Sequence, residues 1–183
     1  MDEVKRHTLA VLVDNESGVL SKVARLFSGK GYNIESLAVG TTDDPSVSRI
    51  TIEVIMTDKQ IRLVSDQLRK LFPVHSVKQL DVSHSIRREL VLFKVFAESS
   101  ERRNEIIQIA NIFRASIIDV SVSSITLAVI GDENKAEAIQ RLLRGFGILE
   151  LVRTGMVALE RGQYTIDEDT KEKGEFNYGK NVL

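Results

Sequence analysis

The sequence predicts an α+β protein made of two successive βαββαβ units, and three observations predict it. Apolar residues alternate at strand spacing and recur at helix spacing, in the same order twice along the chain. The segments between these runs are short and carry turn residues. A chain of 183 residues with 43% hydrophobic content can also fill two small cores.

Taken in order, Thr8 to Val13 (TLAVLV) is a short apolar run of strand type. Val19, Leu20, Val23, Leu26 and Phe27 recur at helical spacing and stop at Gly31, a residue suited to the left-handed position that ends a helix. Ile34 to Val39 reads as a strand, the turn residues TTDDPS follow, and Ile50, Ile52, Val54 and Met56 alternate with Thr51, Glu53 and Ile55, so the two strands form a hairpin. Asp58 can cap a second helix with the apolar face Ile61, Val64, Leu68 and Leu71, and Pro73 closes it before a weaker strand, Val74 to Leu80.

From Arg88 the order returns. ELVLFKVFA is a strand, Ile106, Ile109, Ala110 and Phe113 share one helix face, and Ile117 to Val122 with Ile125 to Ile130 make a strand pair. Gly131 and Asp132 turn into a helix bearing Ala136, Ile139 and Leu143, and Ile148 to Arg153 ends the unit. The polar segment DVSHSIRR places the boundary near Ser83, which gives units at 1–83 and 84–162 and a polar tail at 163–183 expected to be flexible. Phe176 and Tyr178 are the tail residues that could dock on a partner.

Such an order gives a four-stranded antiparallel sheet with both helices on one face, the ferredoxin-like arrangement. The other face of each sheet then needs cover from the second unit or from another chain, so a homodimer or larger assembly is expected.

Composition narrows the function. The formal net charge of -1 gives no global attraction to nucleic acid or to an anionic membrane. The absence of cysteine removes disulfide scaffolds, thiolate metal sites and thiol nucleophiles together. No stretch approaches the roughly 18 apolar residues of a membrane span, and the N-terminal residues lack a cleavable leader pattern, so a cytoplasmic protein is expected. Catalytic constellations are poor. His7, His75 and His84 show no metal-ligand spacing, and neither a G-x-S-x-G elbow nor a phosphate-binding glycine loop occurs. Asp43-Asp44-Pro45 reads as a turn initiator, and the pairs Arg87-Arg88 and Arg102-Arg103 sit among glutamates as solvated surface.

The segment with most chemical content is Asp14-Asn15-Glu16-Ser17-Gly18, where the first strand becomes the first helix. A helix start leaves backbone N–H groups unpaired and carries partial positive charge, so it accommodates a carboxylate. Gly18 permits close approach of a ligand to the backbone, and the Asn15 amide can both donate and accept toward a free amino acid. Read locally, the same residues also describe an ordinary helix start with Asn15 or Ser17 as cap. Gly31 to Ser36 joins the first helix to the second strand; it reads either as a glycine-stopped helix or as a place where Asn33 projects an amide toward a neighbouring chain.

The run NESGVLSKVARLFSGKGYNIESLAVG, Asn15 to Gly40, resembles the N-terminal ACT domain of acetolactate (acetohydroxyacid) synthase regulatory small subunits. DDPSVSRITI, QLRKLFPVHSV, RRELVLFKV, FRASIIDVS and GILELVRTGMVALERG are similar to later landmarks of that family in order, from about Lys5 to Gly162. The resemblance implies a subunit without a catalytic site. It would join a large catalytic subunit carrying thiamine diphosphate, magnesium and FAD, raise its activity and confer feedback inhibition by a branched-chain amino acid, valine foremost. It also implies an effector site at a dimer interface, with Asn15, Ser17, Gly18, Val19 and Leu20 from one chain and Asn33 and Ile34 from the other. The alternative is a free-standing amino-acid-sensing ACT protein.

Overall fold

The computed structural model describes residues 3–166. The chain forms two compact units, one from Met1–Ile86 together with the chain from Met156 onward, the other from Arg87–Gly155.

In the first unit, β1 (Val4–Asp14) lies inside a sheet of order β2-β3-β1-β4, with β2 at Ser36–Thr41, β3 at Val47–Thr57 and β4 at Val74–Leu80. All its pairings are antiparallel, and the register sets Leu9 against Ile52 and Val11 against Ile50. Because side chains alternate along a strand, one face gathers Leu9, Val11, Val13, Ile50, Ile52 and Val54. Two helices close over that face: α1 (Val19–Ser28) through Val19, Val23 and Phe27, and α2 (Asp58–Lys70) through Ile61, Val64 and Leu68.

The start of α2 corrects one sequence reading. Thr57 rather than Asp58 caps it, in a reciprocal pair: the Gln60 N–H donates to Thr57 Oγ1 at 3.3 Å and the Thr57 N–H to Gln60 Oε1 at 2.8 Å. Asp58 is the first helical residue, and its carboxylate takes Lys5 Nζ at 3.0 Å. The strand expected from Ile34 begins at Ser36, leaving Asn33 and Ile34 in the connection.

The second unit repeats the plan. β5 (Ser85–Phe96), α3 (Ser100–Ile112), β6 (Ser116–Val120), β7 (Ser124–Gly131), α4 (Glu133–Arg144) and β8 (Ile148–Arg153) give the order β6-β7-β5-β8, with Phe93, Ile106, Leu127 and Ile139 in its core. Both units are therefore ferredoxin-like, as the sequence predicts.

The partition differs from 1–83, 84–162 and 163–183 at its C-terminal side. After Gly155 the chain returns to the first unit and lies across the face of its sheet that carries no helix. A short strand not expected from sequence, β9 (Val157–Glu160), pairs with β5, and Ala158 and Ile166 join Ala10, Leu12, Val47 and Leu80 in a second apolar cluster. Side chains of four sheet residues fasten this segment. The Met156 N–H donates to Ser36 Oγ at 2.7 Å, Arg49 Nη2 to the Ala158 carbonyl at 2.8 Å, Ser76 Oγ to the Ile166 carbonyl at 2.9 Å, and Lys78 Nζ to the Thr165 carbonyl at 3.0 Å. Lys78 also pairs with Glu160 at 2.7 Å. Part of the cover expected from another chain is thus supplied by the chain itself. The tail's first residues, to Ile166, are fixed, whereas Phe176 and Tyr178 lie outside the described residues. Among the described residues no helix is long and apolar enough to cross a membrane.

Candidate functional site

The site builds from the end of β1. Asp14 continues the strand, its N–H bound to the Pro73 carbonyl at 2.8 Å, and its carboxylate lies 2.6 Å from His75 Nε2 at the start of β4. Asn15 is held on three sides. Its backbone N–H donates to the Ser46 carbonyl at 2.7 Å, its Nδ2 to the Pro45 carbonyl at 2.8 Å, and Ser48 Oγ donates to its Oδ1 at 3.1 Å. This removes the reading of Asn15 as the cap of α1. Its side chain ties the loop to the β2–β3 turn while remaining exposed to solvent.

The turn is itself preorganised. Asp44 Oδ1 accepts from the Ser46 N–H at 2.8 Å and from Ser46 Oγ at 2.7 Å, which holds the Asp44 carboxyl below its ordinary value. A depressed carboxyl favours the folded state above the ordinary carboxylate range, and that contribution is lost as pH falls through the folded value. Ser46→Ala is expected to return the Asp44 carboxyl toward 3.8, read by an NMR titration of the side chain.

Glu16, Ser17 and Gly18 follow, all exposed. Gly18 is the N-cap residue of α1 with φ of 82°, and no side chain caps this helix. The other three helices begin under Thr57, Ser99 and Asp132, each accepting a backbone N–H. A helix leaves its first four N–H groups without intrahelical acceptors. At α1 the Val19 N–H reaches the Glu16 carbonyl at 3.4 Å, and the rest of the set faces a glycine whose added Cβ would meet nothing within 4 Å. Val19 is buried and pins the first turn to the core, while Leu20 turns outward, 41% exposed. The start of α1 therefore combines unpaired donors, the positive end of the helix dipole, clearance and an apolar side chain, which suits a small carboxylate with an aliphatic body.

Asn33 and Ile34 lie beyond the other end of α1. With Ser21, Ala24, Arg25, Phe27, Ser28 and Tyr32 they line a surface depression of about 550 Å³. Asn33 Nδ2 donates to Glu35 Oε1 at 2.7 Å, and Ile34 packs against the core edge. Ten helical residues at about 1.5 Å each make α1 roughly 15 Å long, with the first group at its start and the second beyond its end. A second cavity, about 420 Å³ and lined by Leu12, Arg49, Leu80 and Tyr164 among others, shares no residue with either group.

The second unit offers no counterpart. Ser99 Oγ accepts the Arg102 N–H at 3.3 Å at the start of α3, and the Arg102 guanidinium lies over the rings of Phe96 and Phe146 at 5.7 and 5.4 Å. His7 is buried between the Met56 carbonyl and Gln79, each at 3.0 Å, and is structural. Among the described residues no group of three His, Cys, Asp or Glu could hold a metal ion.

Fold and loop together define the class: an ACT domain joined to a second ferredoxin-like unit. Comparison with known proteins narrows it. The family described as "AHAS small subunit-like ACT domain" matches residues 9–76, and "Small subunit of acetolactate synthase" matches 88–162. The acetolactate synthase small subunit of Aquifex aeolicus is 47% identical over 171 residues, covering 93% of this chain and 88% of its own. A probable small subunit from Archaeoglobus fulgidus is 50% identical over 157 residues, 86% of this chain and 98% of its own. The crystal structure of the small subunit from Thermotoga maritima superposes with a TM-score of 0.81 at 38% identity, covering 86% of this chain and 98% of that one. The chain belongs to the acetolactate synthase small-subunit family.

Proposed function

We propose that the chain works in the cytoplasm as the regulatory partner of a catalytic acetolactate synthase large subunit. In this reading it raises that subunit's rate and makes it sensitive to a branched-chain amino acid, valine foremost. The observation that carries the effector reading is the start of α1, where Gly18 leaves uncapped donors and clear space. The effector carboxylate binds the N–H groups near Gly18, Val19 and Leu20, and Ser17 borders them. Asn15 acts by fixing the loop rather than by touching the ligand. The placement of the two groups at opposite ends of α1 favours a homodimer in which the second group comes from another copy. Thiamine diphosphate, magnesium and FAD belong to the catalytic subunit, where a carbanion sink is required to join two 2-keto acids.

Reconstitution tests this. The chain alone should form no acetolactate, should raise the rate of a large subunit mixed with it, and should make that rate fall with added valine. Asn33→Ala should raise the half-inhibiting valine concentration roughly twofold to tenfold, the value of one hydrogen bond of about 0.5–1.5 kcal/mol. Acetolactate formation by the isolated chain would overturn the regulatory reading. Co-purification without any large subunit would favour the free-standing sensor.

A further inference from the structure

The three hydrogen bonds that hold Asn15 all reach one stretch of chain, Pro45 to Ser48. Two end on backbone carbonyls, and the third comes from the Ser48 hydroxyl, which donates to Asn15 Oδ1 at 3.1 Å. Ser48 is only 6% exposed, whereas Asn15 lies at the surface. It stands in β3 opposite Val13, on the sheet face where Ile50, Ile52, Val54 and Met56 enter the core. An apolar residue would suit that face better. A buried hydroxyl there costs stability unless it is hydrogen-bonded, and among the described residues the Asn15 oxygen is its one hydrogen-bond partner.

We infer that Ser48 is a positioning residue for the effector site, its buried hydroxyl fixing the Asn15 amide and, through it, the loop that leads to Gly18 and the start of α1. The Pro45 carbonyl can only accept, so the amide atom facing it is the nitrogen, and the oxygen must then turn toward Ser48. A flipped amide would lose both bonds. With the hydroxyl removed, the side chain keeps only its bond to Pro45, and one bond leaves the amide free to swing about it. The exposed Asn15 oxygen then takes water instead, so the fold loses little. The loop loses more, because an effector that needs it in place must supply the missing order from its own binding energy. Ser48 acts in this way without touching the ligand.

The inference rests on the effector reading, and titration calorimetry of the full chain with valine, beside urea unfolding of the same proteins, separates the two. S48A should raise the dissociation constant roughly threefold to tenfold, the worth of one hydrogen bond, while the unfolding midpoint holds or rises. S48T keeps the hydroxyl and should restore most of the affinity. S48C, close in size but a weaker donor, should weaken binding in the same direction and serves if S48A does not fold. In an N15A background the loss of the Ser48 hydroxyl should change nothing further, since the two side chains act through one bond. Unchanged affinity in S48A and S48C, a loss that persists in N15A, no recovery in S48T, or a loss that follows a falling unfolding midpoint would each overturn the role of Ser48 and leave the effector site standing. Failure of the unaltered chain to bind valine, leucine or isoleucine would overturn the effector reading and this inference with it.

Discussion

Gly18→Asp is expected to raise the valine concentration for half-inhibition of the reconstituted enzyme by a hundredfold to roughly a thousandfold. The new carboxylate would occupy the space in front of the uncapped N–H groups of α1, where the effector carboxylate is placed. Two like charges about 4 Å apart at an effective dielectric near 20 repel by about 4 kcal/mol, and the exposure of the loop reduces this toward the lower end of the range. The protein itself accommodates the new side chain, because the added Cβ meets nothing within 4 Å, and its bulk displaces the effector in the same direction as its charge. Backbone strain does contribute, since φ is 82° and an L residue there costs about 1–2 kcal/mol, with Asp tolerating it better than most. Gly18→Ala isolates that strain and should weaken inhibition far less. The comparison is the rate against valine concentration for both variants, and unchanged inhibition in Gly18→Asp would place the effector elsewhere.

The second large effect concerns the segment that returns to the first sheet. A fragment ending at Ile86 contains every strand and helix of the ACT core but lacks residues 156–166. It should be less stable than the same unit in the full chain by on the order of 3–5 kcal/mol. The reason is that Leu12, Val47, Leu80 and Ala10 lose their cover, and a fully buried Leu or Val contributes about 1.5–3 kcal/mol. Urea unfolding measures the loss, and binding of a hydrophobic dye should report the exposed face. Joining residues 156–166 to the fragment through a flexible linker should restore most of it. A fragment as stable as the intact unit, with no dye binding, would show that the segment is a passive strap.

Elements whose signal is local were legible in the sequence. The alternation Ile50, Ile52, Val54, Met56 and the helical spacing Val19, Val23, Phe27 reappear as the buried faces of β3 and α1. What escaped depends on residues far apart in the chain. β9 is four residues long, and its inward Ala158, with Met156 just before it, has meaning only against a sheet completed about 80 residues earlier. The Asn15 amide looks free in sequence because its partners, Pro45 and Ser48, lie 30 and 33 residues away. Gly18 was legible as an opening at the helix start. The pairing of Asp14 with His75 was not, since no spacing rule links the end of one strand to the start of another.

The division of the first unit between two stretches of sequence has a consequence for synthesis. The ribosome completes the helices and four strands of the ACT sheet early, but must then make all of Arg87–Gly155 before the covering segment emerges. At about 5–20 residues per second, the nascent sheet keeps one apolar face open for several seconds. During that interval Leu12, Val47 and Leu80 are available to any chaperone or neighbouring nascent chain, and the second unit can finish folding before the first.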